Sequence, residues 1–370
     1  MSFAELQPLY LNGRFLSQQL SGVQRFATEI AAELRRVRGD ELTVLVPPET
    51  RSSMFPVKAV GRHTGHLWEQ LDLPRGTRDG LLLNLGNTAP LLGRRQVVVI
   101  HDAGVYSTPE AYSRPLRMWY KQLQRRIVRS SVTVVTVSEF ARSEIVRHLH
   151  ADPESTVVVG EGSDHMERIV ADRRVVETAG LVPGRFVLAV GNLAAHKNLI
   201  ALRDLAVVLA GRGMTLVVAG GVPPRVFNQN GDSLLPQPCR YVGRVTDGEL
   251  KGLFETAACF VFPSRYEGFG LPAVEAMACG CPVVAADIPA LRETCADAAI
   301  YCDPASPSDI ARQVCLVLDD PGLNARLRQS VRARARAWTW ERAAHRLNSV
   351  LSLACDNGRA TANPSLSTAH

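Results

Sequence analysis

Two glutamates, Glu267 and Glu275, stand eight positions apart across the turn Gly268-Phe269-Gly270. The run Cys259-Phe260-Val261-Phe262 before them reads as a short buried strand, and Pro272 suits a first helical turn, where a missing N–H costs nothing. Glu267 then lies in the loop and Glu275 about one turn into the helix. The N–H groups of Gly268, Phe269 and Gly270 would face an anion at the helix N-terminus, while the carboxylates would accept hydroxyls. A phosphorylated sugar meets both demands. The bland alternative is a pair of surface acids that charge a helix end. Against it stand the strand before the turn, the Gly-x-Gly itself, and the return through Ala278-Cys279-Gly280-Cys281-Pro282-Val283-Val284 after a very short helix.

Other candidate groups also follow apolar runs. His101-Asp102 comes directly after a run ending at Ile100, which makes His101 a hydrogen-bond donor to sugar or phosphate oxygens; Asp102 would orient the loop or bind an acceptor hydroxyl. An isolated histidine is more often a satisfied structural one. Gly191-Asn192 and then His196-Lys197-Asn198 follow the run Phe186 to Val190. Lys197 falls near the start of a helix expected over residues 198–209, a poor dipole position for a cation, and a phosphate ligand would explain it; the alternative is a solvated surface lysine. At Ser21-Gly22-Val23-Gln24-Arg25, a helix opens with a glycine that would let a phosphate approach the backbone.

No D-x-D occurs, and no His/Cys/Asp cluster has metal-ligand spacing, so no metal is expected. Charge on a diphosphate would be met by helix N-termini and basic side chains. P-loop and G-x-S-x-G patterns are missing as well. The segment 268–273 does satisfy G-x-G-x-x-A of dinucleotide-binding folds, with Asp287 after the next strand, but the helix is short, Asp287 comes early and two glutamates flank the turn.

The elements that would position these groups alternate. Apolar runs at 8–11, 42–46, 81–85, 97–100, 132–137 and 156–159 are separated by helical stretches. A second series follows at 186–190, 216–219, 259–262, 282–285 and 299–301. This βαβ rhythm predicts two α/β, doubly wound, parallel-sheet domains, whose ligands gather at the carboxyl ends of strands. The polar stretch 161–184 is the expected linker. The expected division is 1–172, 173–337, a helix over 338–355 and a structureless tail over 356–370. With 370 residues, 46% hydrophobic and 21% charged, the chain has the composition of a globular protein, with no apolar run approaching the ~20 residues that span a bilayer. The start of the chain lacks a signal-like pattern, so the expectation is a cytoplasmic protein. Eight cysteines without Cys-x-x-Cys read as buried thiols.

A net charge of +6 is compatible with nucleic acid, anionic lipid or a phosphorylated substrate. Residues 114–129 carry Leu116, Trp119, Tyr120, Leu123 and Ile127 at helical spacing among six basic residues. The favoured reading is a core-packed helix with a solvated basic face; the other is a helix on an anionic membrane surface.

Together these residues resemble glycosyltransferase family four, retaining nucleotide-sugar transferases of GT-B fold, in which two Rossmann-like domains face a central cleft. The marks are Glu267 to Glu275, the run 278–285, Gly191-Asn192-Leu193-Ala194-Ala195-His196-Lys197-Asn198 and Thr136-Val137-Ser138-Glu139-Phe140. Weaker ones are Gly22, His101-Asp102, Gly243 with Glu249-Leu250, and Trp340-Glu341. The resemblance implies an N-terminal domain for the acceptor, a C-terminal one for the donor and a final helix crossing back. It implies that Glu267 faces the donor sugar, Glu275 holds the ribose, and Phe269, Gly270 and the adjoining Leu271 meet sugar and phosphate. Lys197 would take the diphosphate, His101 the sugar near the reacting carbon, and Gly22 the phosphate. Val242, Gly243 and Arg244 would border the base. Many members have an arginine where His196 and Asn192 stand, and Arg244 or Arg265 would compensate. Segments 11–14 and 21–25 look like the mannosyl- or rhamnosyltransferase branch that builds bacterial surface polysaccharides. The implied reaction moves a hexose, mannose favoured, from a nucleotide diphosphate sugar such as GDP-mannose to a lipid-linked or glycan acceptor, with neither cofactor nor nucleic-acid partner. A nucleotide-sugar epimerase, a dinucleotide enzyme of similar fold and a non-catalytic sugar- or lipid-binding scaffold remain the alternatives.

Overall fold

The computed structural model describes residues 8–93, 95–109, 113–130, 133–221 and 235–362, with side chains up to residue 356. The chain divides into two units. One comprises Met1–Tyr106, Arg114–Glu161 and Trp340–His370, the other Ser107–Ser113 and Gly162–Thr339.

The first unit is built on strands β1 (Leu9–Asn12), β2 (Leu42–Val46), β3 (Lys58–Ala59), β4 (Leu81–Asn84), β5 (Gln96–Val99), β6 (Thr133–Thr136) and β7 (Thr156–Val158). They form one sheet in the order β3-β2-β1-β4-β5-β6-β7, every pair parallel. Helices cover a parallel sheet on both faces, so its strands are apolar nearly throughout, and β4 and β5 are buried at every position. The strand order reverses beside β1, so the loops after β1 and β4 diverge from that point. The final helix, Trp340–Ala362, belongs to this unit. Trp340 is fully buried with its ring edge-on to Phe26 at 5.9 Å, and Arg36 reaches Glu341 at 3.2 Å.

The second unit repeats the plan with β8 (Phe186–Val190), β9 (Thr215–Ala219), β10 (Arg240–Gly243), β11 (Cys259–Phe262), β12 (Val283–Ala286) and β13 (Ile300–Cys302). Its sheet runs β10-β9-β8-β11-β12-β13, again all parallel, and the order reverses between β8 and β11. Phe186, Leu188, Phe260, Phe262 and Met277 pack one face; Val187, Leu205, Leu209, Val261 and Val314 pack the other.

Several expectations are corrected. Strands β3 and β10 have no counterpart among the apolar runs, because β3 is two exposed residues and β10 is a partly exposed edge. The stretch 161–184 is not a linker: it carries helices His165–Arg168 and Arg174–Thr178, and buries Met166, Val175 and Val176 in the second unit's core. The boundary therefore falls at Glu161, ahead of the expected 172. The closing helix runs to Ala362 rather than stopping at 355, while residues 363–370 of the expected tail lie outside the described residues, as does Val132. Helix Arg114–Ser130 buries Leu123 and Ile127, yet Leu116, Met118 and Trp119 are 44%, 57% and 38% exposed. Its first half is thus not core-packed.

Candidate donor-side site at the strand reversal of the second unit

Loops after β8 and β11 flank the reversal of strand order and carry the charged pair of the site. After β8 the chain makes a single 3-10 turn, Ala195–Lys197, and then breaks at Asn198 in the left-handed region with φ +56°. The helix proper, Arg203–Gly211, begins later than the expected 198. Lys197 therefore sits at the end of a turn, and the argument from an unfavourable helix dipole falls away.

What holds Lys197 is a set of cross-loop hydrogen bonds. Asn198 Nδ2 donates to the carbonyls of Pro263 at 3.0 Å and Pro304 at 2.8 Å, and the Arg265 N–H donates to the His196 carbonyl at 2.8 Å. With the two loops joined on both sides, Lys197 Nζ lies 2.8 and 2.9 Å from the two oxygens of Glu267. The side chains are 19% and 10% exposed. An ion pair so far out of water is held by its own geometry, and removing one partner strands the other charge at about 3–5 kcal/mol.

After Glu267 the turn depends on Gly270. Its φ of +96° is left-handed, and an added Cβ would lie 2.4 Å from Leu291 Cδ2. That residue ends the loop and starts helix Leu271–Ala278, with Pro272 in its first turn. Phe269 is an anchor: its ring is 3% exposed and stands edge-on to Trp338 at 5.0 Å, so only its backbone can serve a ligand. Leu271 is buried likewise. Glu275 projects from the helix at 7% exposure, and its Oε1 accepts from His165 Nε2 at 3.1 Å. His165 was missed from sequence, because it lies in the segment read as a linker and no spacing relates it to Glu275.

The remaining donor-side residues are placed less centrally. Gly220, at φ +150°, lets the end of β9 pass against Gly191, whose carbonyl oxygen would stand 2.0 Å from any Cβ there. Asn192 Oδ1 accepts from the Ala194 N–H at 3.3 Å and shapes the loop, and His196 contributes its carbonyl as described. Val242 and Gly243 end the edge strand β10, Val242 against the core and the Gly243 carbonyl on the Gly220 N–H at 2.8 Å; Arg244 is exposed. Glu249 closes a capping box with Thr246, a structural use of that sequence mark.

In the first unit, Gly22 is the first residue of helix Gly22–Arg38, and a Cβ there would meet nothing within 4 Å. His101 is tied into its own unit. Its Nε2 donates to the Leu85 carbonyl at 3.0 Å, its Nδ1 stands 3.4 Å from Glu161, and its ring is edge-on to Phe26 at 4.7 Å. The donor expected to serve a sugar is used inside the unit. Asp102 accepts from the Gly104 N–H at 2.7 Å and so orients its loop. Beside β1 lies a polar network that sequence reading did not assemble. Buried Glu69 accepts from Asn12 at 3.0 Å and Thr88 at 2.8 Å, while Arg14 is 3.4 Å away. Burial raises the Glu69 pKa, but hydrogen bonding with His66, the charge of Arg14, and the Thr88 and Asn12 bonds outweigh it, leaving a net lowering. The cysteines are free thiols, and burial pushes Cys259 and Cys279 up to about 12. Among the described residues, no group of three or more His, Cys, Asp or Glu could hold a metal ion.

Comparison with solved structures gives the class. Anabaena HepE in complex with UDP and glucose superposes with a TM-score of 0.73 at 18% identity, covering 94% of this chain and 100% of that one. Sucrose-phosphate synthase from Thermosynechococcus elongatus gives 0.71 at 18% identity, covering 94% and 98%. The architecture is GT-B. The family described as "Glycosyl transferases group 1" matches residues 181–337, and "Glycosyltransferase Family 4" matches 80–166. Through these two matches the chain is similar to glycosyltransferase family four over parts of both units. Among its relatives is O-antigen chain mannosyltransferase B of Escherichia coli, 29% identical over 67% of this chain and 67% of that protein. O-antigen chain mannosyltransferase RfbU of Salmonella typhimurium is 27% identical over 60% and 61%. The matched regions thus span about three fifths to two thirds of these relatives' length. Among the described residues, no helix is long and apolar enough to cross a membrane.

Proposed function

We propose that the protein is a retaining mannosyltransferase of polysaccharide synthesis, taking a nucleotide diphosphate sugar, GDP-mannose favoured, and a lipid-linked or glycan acceptor. The observation that carries the reading is the Lys197–Glu267 pair, locked between the loops at the strand reversal and followed by the N-terminus of helix Leu271–Ala278. The mannosyltransferase relatives lend the sugar.

In this reading Lys197 and the backbone of Phe269 and Gly270 take the diphosphate, Glu267 faces the donor sugar and Glu275 the ribose. Lys197 and Glu267 neutralise each other in the free enzyme, so an arriving diphosphate competes with Glu267 for the ammonium and draws both groups onto one ligand. Lys197 then stabilises the charge that develops on the leaving phosphate. The bond from the anomeric carbon to the phosphate oxygen breaks, and the acceptor oxygen bonds to that carbon on the same face. Its proton passes to the departing phosphate. Negative charge is met by Lys197 and backbone N–H groups, so no metal is required.

The exposed Leu116, Met118 and Trp119 of helix Arg114–Ser130, beside Arg114, Arg117 and Lys121, suit a peripheral position on the inner, anionic membrane surface, where a lipid-linked acceptor would be presented.

The test is a donor screen with UDP-, GDP- and dTDP-sugars, read by thermal shift and by transfer to a polyprenyl-linked saccharide. Stabilisation by GDP-mannose and transfer with retained configuration are expected. Isomerisation of the sugar nucleotide without acceptor would replace this reading with an epimerase, and indifference to every sugar nucleotide would remove it. Vesicles containing phosphatidylglycerol test the membrane part: binding should fall when Trp119 and Met118 become Ser.

A further inference from the structure

We propose that His165 is a positioning residue for the donor nucleoside: it sets the plane of the Glu275 carboxylate so that this group can grip a vicinal diol. The proposal rests on the assignment of Glu275 to the ribose made above.

A carboxylate that accepts from two neighbouring hydroxyls must present both oxygens in one plane, and the helix fixes only its Cα. The last torsion of a glutamate is broad and needs an outside partner. Here that partner is an imidazole. A carboxylate oxygen can only accept, so His165 Nε2 carries the hydrogen donated to Glu275 Oε1 at 3.1 Å. Both side chains are nearly excluded from water, at 2% and 10% exposure, so solvent competes little for the contact.

The segment that carries the imidazole is held from several directions. Helix His165–Arg168 is a single short turn, which would fray alone. Lys251 Nζ binds its end, donating to the carbonyls of Met166 and Ile169 at 2.8 Å each. The Ser163 N–H donates to the Trp338 carbonyl at 3.0 Å, and Met166 is buried in the core of the second unit. These four ties fix the backbone from which the donor reaches a carboxylate 110 positions away in the chain. A structural ion pair alone would explain the burial, but the carboxylate it orients is the one assigned to the ligand.

The experiment compares the wild-type enzyme with His165→Met and His165→Asn, which remove the donor at that reach, and with His165→Gln, whose Nε2 keeps one near it. Each is assayed with the best ribonucleotide sugar and its 2′-deoxy counterpart. Expected is a rise of about tenfold in KM for the ribonucleotide donor in Met and Asn, which corresponds to about 1.4 kcal/mol. kcat should stay within about twofold, the ribo-over-deoxy preference should collapse, and Gln should recover most of it. The preference is a ratio within one preparation, so it does not depend on the folded fraction, and two removals guard against one failing to fold. Unchanged preference in Met or Asn overturns the proposal, as does a fall in kcat at constant KM. Glu275→Ala separates the two readings: if it abolishes the preference and the His165 variants do not, only the role of His165 falls. If Glu275→Ala also leaves the preference intact, the assignment of Glu275 to the ribose falls first.

Discussion

Replacing Lys197 by Met tests the site at its centre, because it separates what the ion pair does for folding from what it does for the donor. Lys197 and Glu267 meet at 2.8 and 2.9 Å with 19% and 10% of their side chains exposed. Removing the cation strands a carboxylate that has little water to turn to. The residual exposure places the cost at the lower end of the buried-pair range, about 3 kcal/mol. For a unit of this size that lowers Tm by roughly 6–12 °C. Glu267→Gln should cost a similar amount by stranding the ammonium. The double variant Lys197→Met/Glu267→Gln leaves no unpaired charge, and most of the Tm should return. Donor binding should not return with it. A charge-assisted contact to a phosphate contributes about 1.5–3 kcal/mol, so donor affinity should fall roughly 10- to 100-fold in Lys197→Met and in the double variant. At a donor concentration 100 times the wild-type Kd, ligand stabilisation would shrink from about 2.7 to about 0.4 kcal/mol at the 100-fold limit. Thermal melts with and without donor, together with a transfer assay, read both quantities. A double variant that transfers sugar at the wild-type rate would refute the assignment of this pair to the donor.

Three further outcomes are expected. Gly270→Ala should cost at least about 1–3 kcal/mol from its left-handed φ, with displacement of Leu291 added, and should weaken donor binding by tilting the turn; an unchanged Tm and KM would contradict the tight fit. The carboxyl of Asp72 is held down at about 2, first by the His63 backbone N–H, against the upward effect of burial, and then by the Arg62 N–H and the His63 ring. Because the folded pKa lies below the unfolded one, its stabilisation is complete above about pH 4 and is lost as pH falls toward 2. Asp72→Asn should therefore lower Tm near neutrality and flatten its fall between pH 4 and 2, and a parallel acid profile would sink the point. Prolonged dialysis against a chelator should leave transfer intact, and loss of activity restored by a divalent ion would show that Lys197 does not suffice.

How far the chain announces this site depends on the range over which each signal acts. The turn 267–275 is legible because its parts are local: an apolar strand, a glycine that must take φ +96°, a proline in a first turn, and one carboxylate in the loop with the other about a turn into the helix. Eleven of the strands follow apolar runs, since both faces of a parallel sheet are covered. β3 and β10 escape because β3 is two exposed residues and β10 has no fully buried position, so neither needs such a run. Lys197 is not a cation at a helix start but ends a turn fastened by Asn198 and Arg265. His101 follows the same logic in reverse: a strand-end histidine looks available until Leu85 and Glu161 are seen on its two nitrogens.

By itself, then, the sequence determined most of the elements and their type, the two-unit rhythm and the short-range chemistry of the glycine turn, all properties that neighbours along the chain impose through backbone sterics and burial period. Only tertiary structure decided which charges meet. Lys197 finds Glu267 across 70 positions, and His165 finds Glu275 across 110. Such pairings follow from strand order and cross-loop hydrogen bonds, and no spacing along a chain encodes them.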